Sequence, residues 1–216
     1  MKRDKAKIFE LKMLPMDMAR LVRLPLLLIF RIRRVQPGGQ PYRQKLSGPA
    51  LIAMNHTSFA DPFIVGACFW YRRVYCMASE EVMGSGLRFA LLKAAGCIKI
   101  NRSIADIQAI REAVRVLKEE RRTVAIFPQG HISAGGAVES VKSGTVLIAL
   151  QAGVPIIPMY VPKAKHFFSR RTAYIGEPIV PETNGGIPSL QDIDRISGKL
   201  QEEMNRCACA YAGMEN

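Results

Sequence analysis

Several signatures are missing from this 216-residue chain, and each absence removes a class of function. It has no Gly-x-Gly-x-x-Gly turn and no phosphate-loop run, so the common nucleotide-binding fingerprints are excluded. No Gly-x-Ser-x-Gly elbow is present, which argues against a serine nucleophile of the hydrolase type. No group of His, Cys, Asp and Glu has metal-ligand spacing, and no bound cofactor is expected. The five cysteines (68, 76, 97, 207 and 209) are odd in number and contain no Cys-x-x-Cys pair, so no disulfide framework is implied. Cys68, Cys76 and Cys97 read as small core hydrophobes, and Cys207-Ala208-Cys209 as a free, reduced pair in a cytoplasm-facing protein.

Long apolar runs are also missing. Near the N-terminus the longest is Leu24-Pro25-Leu26-Leu27-Leu28-Ile29-Phe30, far short of the ~20 residues that span a bilayer. Basic residues bracket it, and charge is concentrated at this end. Residues 1–45 carry twelve Lys/Arg against three Asp/Glu, within a formal net charge of +13. A helical stretch from Ile8 to about Arg34, broken at Pro15 and Pro25, then fits a segment lying in a membrane interface, with leucines among acyl chains and arginines at headgroups. Arg31-Ile32-Arg33-Arg34 follows the apolar run where a signal peptide needs small cleavage-site residues. The expected partner is an anionic membrane surface, with the protein peripheral on its cytoplasmic face. A nucleic-acid module also explains the charge, but the arm lacks the interleaved aromatics that stack bases, so no nucleic-acid partner is expected.

With 49% hydrophobic residues, the chain can bury a sizeable core. Three regions are expected: basic interfacial helices over 1–36, a linker over 37–48 around Pro37-Gly38-Gly39-Gln40-Pro41, and one folded domain over 49–210. Apolar runs predict strands at 49–54, 73–78, 97–100, 123–127, 155–161 and 172–176. Helical patterns fall at 62–71, 85–94, 104–120 and 142–152. The stripe Ile104, Ile107, Ile110, Val114, Leu117 marks the third of these helices, and Leu190, Ile193, Ile196, Leu200 a final one opened by a Ser189/Asp192 capping box. Alternating strands and helices predict an α/β domain with a mixed, mostly parallel sheet flanked by helices.

Within Asn55-His56-Thr57-Ser58-Phe59-Ala60-Asp61-Pro62, a histidine and a carboxylate lie where a strand turns into a helix. A carboxylate partner fixes the imidazole tautomer and stabilises the imidazolium, which makes His56 a candidate general base and Asp61 its orienting partner. Met54 and Phe59 read as packing residues flanking the pair, and Ser58 as a loop hydroxyl. Three more blocks follow in order: Gly96-Cys97-Ile98-Lys99-Ile100-Asn101-Arg102, Ile126-Phe127-Pro128-Gln129-Gly130-His131-Ile132-Ser133, and Val154-Pro155-Ile156-Ile157-Pro158-Met159. Together the blocks, over 55–159, resemble the glycerolipid acyltransferase family, and within it the 1-acylglycerol-3-phosphate acyltransferases.

That resemblance implies transfer of a fatty acyl group from a thioester, on acyl carrier protein or coenzyme A, to the free hydroxyl of 1-acylglycerol 3-phosphate. Glycerol 3-phosphate and lyso-aminolipids remain alternative acceptors, and hydrolysis by the same pair an alternative reaction. It also implies direct attack by the acceptor, with no acyl-enzyme. Arg102 is expected to clamp the acceptor's phosphate. The turn Gln129-Gly130-His131 should lie beside His56 and Arg102, with the Gly130 amide facing an anion and His131 a hydrogen-bonding turn residue. The third block departs from the family, which usually carries Phe-Pro-Glu-Gly-Thr-Arg; here Gln129 and Ile132 replace the glutamate and arginine. Lys142 is therefore a second candidate for the phosphate.

Overall fold

The computed structural model describes residues 31–101, 106–133, 137–164, 166, 169–183 and 188–213. Its strands are β1 (Arg33–Val35), β2 (Ala50–Met54), β3 (Val74–Ser79), β4 (Cys97–Ile100), β5 (Thr123–Ile126), β6 (Ile156–Tyr160) and β7 (Thr172–Ile175). The helices are α1 (Asp61–Cys68), α2 (Glu80–Met83), α3 (Gly86–Ala94), α4 (Ile107–Lys118), α5 (Ser143–Ala152) and α6 (Leu190–Ala212). One sheet runs β1-β7-β6-β2-β5-β3-β4. The five strands from β6 to β4 are mutually parallel, β7 runs antiparallel to β6, and β1 lies parallel to β7.

The burial of β2 explains its composition. All five of its residues are buried, because helices cover both faces of the central strands. On one face Leu51, Ala53, Val124 and Ile126 meet α4, α5 and α6; on the other Ile52, Met54, Ala125 and Phe127 meet Ile64, Val65 and Cys68 of α1. Pro158 is unusual inside a strand because it has no N–H to donate. It is tolerated here because β6 pairs with β7 only at Met159↔Ile175 and Tyr160↔Tyr174; beyond β7, Gly176 N–H still donates to the Pro158 carbonyl at 2.9 Å.

All six expected strands form, as do the five expected helices, and Ser189 and Asp192 cap α6 reciprocally. Several expectations need correction. Arg33–Val35, at the end of the expected N-terminal helix, is a strand on the edge of the sheet. Val35 packs there against Tyr160, Tyr174 and Cys207, and Tyr42, inside the expected linker, is also buried. Cys207 and Cys209 are both free, as expected; Cys209 is exposed, whereas burial pushes the Cys207 thiol up to about 12. Ile107 opens α4 at its exposed edge instead of joining the apolar stripe. Residues 1–30 of the membrane-interface helices expected over 1–36, and Arg102, lie outside the described residues. Among the described residues no helix is long and apolar enough to cross a membrane.

Candidate active site

The carboxyl ends of the parallel strands β2 and β5 deliver the two loops that make the site. Such ends are where open α/β sheets gather ligands. After Met54 the chain passes through His56 and enters α1 at Asp61, whose carboxylate turns back over the preceding loop. Its Oδ2 accepts the Thr57 N–H at 2.6 Å and the Ser58 N–H at 2.7 Å, and its Oδ1 accepts the Ser58 hydroxyl at 2.9 Å. The His56 Nδ1 lies 2.9 Å from the same Oδ2. A carboxylate surrounded by donors acts as an acceptor, so Nδ1 carries the proton and Nε2 keeps its lone pair. Asp61 is wholly buried and His56 only 7% exposed, which holds the ring in one orientation.

Three contacts fix the ring and its backbone. The Phe127 ring stacks on the imidazole with centroids 4.2 Å apart. Ser133, in the loop after β5, donates to the His56 carbonyl through both its N–H (2.7 Å) and its hydroxyl (3.2 Å). Asn55 clamps the end of β2 to the end of β6: its Nδ2 donates to the Val161 carbonyl at 2.9 Å, and its Oδ1 accepts the Val161 N–H at 2.7 Å. Asn55→Ala leaves both Val161 groups buried without that partner. We expect a loss of about 2 kcal/mol, seen as a fall in Tm of roughly 4–8 °C by calorimetry.

The turn after β5 meets the first loop as expected, with a different internal arrangement. Gly130 has φ +75°, which favours glycine, but its N–H donates to the Phe127 carbonyl at 3.0 Å. The amide therefore closes the turn and does not face an anion. What glycine allows is the approach of Lys142: a Cβ built at Gly130 would stand 2.8 Å from the Lys142 Nζ. Lys142 is the N-cap of α5 and donates its own N–H to the Pro128 carbonyl at 3.1 Å. The Nδ1 of His131, an exposed residue, bonds the Gln129 carbonyl oxygen at 3.1 Å. Gln129 is 6% exposed, and its Oε1 is buried with no hydrogen-bond partner among the described residues.

Beside the turn is a cavity of about 370 Å³. Ile100, Ile110, Ile126, Phe127 and Leu147 give it apolar walls, and Asn101, Asp106, Lys142, Ser143 and Thr145 are polar residues in its lining. The Thr145 hydroxyl is buried with no hydrogen-bond partner among the described residues. His56 is not in the wall; Phe127 is the shared residue, lining the cavity and stacking on the imidazole. Asn55, Ser133 and Arg171 join this region although no sequence pattern marks them. Arg171 precedes β7 and is 5% exposed; burial lowers its pKa, and the Asp61 charge opposes that shift. Phe59, expected to pack, is 73% exposed.

The buried His56–Asp61 pair thus sits at the carboxyl end of a mostly parallel sheet in an α/β domain. The family model described as Acyltransferase matches residues 34–162, and the chain belongs to that family. It is 32% identical over 157 residues to a 1-acyl-sn-glycerol-3-phosphate acyltransferase of Limnanthes alba, covering 71% of this chain and 54% of that one. A lyso-ornithine lipid O-acyltransferase of Pseudomonas aeruginosa is 28% identical over 126 residues, covering 56% of this chain and 48% of that protein. The chain thus spans about half the length of these curated relatives. The crystal structure of the 1-acyl-sn-glycerophosphate acyltransferase PlsC from Thermotoga maritima shares the fold, with a TM-score of 0.60 at 20% identity, covering 91% of this chain and 78% of that one.

Proposed function

We propose that this protein transfers a fatty acyl group from a thioester to the free hydroxyl of 1-acylglycerol 3-phosphate, giving phosphatidate. The observation that carries the reading is the His56–Asp61 geometry, which leaves Nε2 as the free base of a buried, oriented imidazole. The acceptor hydroxyl loses its proton to Nε2 as its oxygen attacks the thioester carbonyl. The tetrahedral intermediate then expels the thiolate, which takes the proton back from the imidazolium. Ser58 is engaged by Asp61 and plays no part as a nucleophile. The unpartnered Gln129 Oε1 is an acceptor suited to a hydroxyl-bearing substrate, and the apolar cavity suits an acyl chain. Either acyl carrier protein or coenzyme A serves as the thioester carrier, since both are anionic and the chain is basic.

One observation favours a second acceptor. Ile132, where the resembled family carries arginine, is 42% exposed and offers no charge for a phosphate. A lyso-aminolipid, the substrate class named for the Pseudomonas relative, needs none. Purified protein given an acyl thioester with lysophosphatidate, glycerol 3-phosphate or a lyso-aminolipid separates these by lipid mass spectrometry. Lysophosphatidate is expected to react fastest; a preference for the lyso-aminolipid, whose headgroup has no phosphate, would replace this acceptor with the aminolipid.

A further inference from the structure

We infer that α3 is a membrane-contact element in its own right, and that its partner is an anionic bilayer surface. The inference takes from the proposed function only that the acceptor is a lipid. None of the nine residues of α3 is buried. Leu87 and Leu91, one helical turn apart on one face, are 76% and 61% exposed. A helix this short is marginal in water, and a leucine face left exposed among the described residues adds to its cost. The helix packs on α2 and on β4, the edge strand of the sheet.

Position and charge identify the partner. α2 and α3 leave β3 from its carboxyl end, the end that carries the dyad. At that end Phe59 of the His56–Asp61 loop and Ile132 of the turn after β5 are also exposed. Exposed apolar side chains thus gather where a lipid acceptor must enter. Arg88 and Lys93 are exposed on α3, which has no acidic residue. Leucines flanked by such cations match an acyl layer beneath anionic headgroups. A self-complementary contact between two copies of α3 would bring like charges together. Residues 1–30 are also net basic, with seven Lys/Arg against three Asp/Glu, so they lack charge complementarity to this face. At about 13 Å a nine-residue helix can lie in an interface but cannot span one.

The test uses the full chain and vesicles of equal parts phosphatidylglycerol and phosphatidylcholine, with no substrate present. Leu87→Ser/Leu91→Ser is expected to lower the vesicle partition coefficient by about tenfold or more, with an unchanged melting curve. Leu87→Phe/Leu91→Phe should restore binding. Arg88→Gln/Lys93→Gln should weaken binding to these vesicles but not to pure phosphatidylcholine. Unchanged partition of the serine variant overturns the inference. So does a lowered Tm, which would mean the chain itself covers this face, or a change in mass by light scattering, which would mean a second copy does. Because binding is read without turnover, failure of the acyl-transfer reading would appear separately, as vesicle binding with no acylated lipid.

Discussion

His56→Ala is expected to lower the rate of acyl transfer by about 10²–10⁴ while leaving the fold intact, since general base catalysis contributes about that much. The fold should survive because Asp61 keeps three other donors when the ring is removed: the Thr57 and Ser58 amides and the Ser58 hydroxyl. Asp61→Asn should behave differently. Its carboxylate organises the loop as well as the imidazole, so an amide in its place turns donors toward donors in a fully buried position. Hydrogen bonds to a charged group contribute about 1.5–3 kcal/mol each, so Asp61→Asn should lower Tm as well as turnover. Paired melting curves and rates check both variants. A His56→Ala protein with near-normal turnover ends the assignment of the base.

The second large effect concerns the acceptor's phosphate. For the proposed phosphorylated acceptor, with Ile132 in the third block, Arg102 and Lys142 are the candidates for holding its charge. If Arg102 holds the phosphate, Arg102→Ala should raise the apparent KM for lysophosphatidate by about a hundredfold, as losing one partner of a hydrogen-bonded charge pair costs about 2–5 kcal/mol. Lys142→Ala should have a smaller effect, of a few fold, because Lys142 is exposed and solvent screens its charge. Lysophosphatidate and an uncharged monoacylglycerol, compared in steady-state assays, check the assignment. Equal efficiency on both, with Arg102→Ala silent, shows that no phosphate site exists.

Much of this fold was legible because its signals are local. The continuous apolar runs of β2 and β6 mark strands covered on both faces, and the Ser189/Asp192 box needs only residues three apart. Elements set by tertiary contacts were not legible. Arg33–Val35 continues a basic, helix-like stretch, and only its pairing with β7 makes it a strand. Glu80–Met83 is too short to show a period. His56 and Asp61 stood out because their spacing is itself the signal. Ser133 reaches the His56 carbonyl from 77 residues away, and Asn55 reaches Val161 across 106. Neither spacing has a sequence signature, because the contact exists only once β2, β5 and β6 lie side by side. Phe59 was misread for a related reason: hydrophobicity alone does not say whether a loop side chain faces the core or the surroundings.

The most direct test of acyl transfer through an oriented base is a product balance on the purified protein. Acyl thioester and lysophosphatidate are incubated in detergent, free thiol is measured, and every acyl product is identified by mass spectrometry. One molecule of phosphatidate should appear for each thiol released, with no acyl adduct on the protein. Thiol release matched by free fatty acid in place of acylated lipid would contradict the account and make the dyad that of a hydrolase.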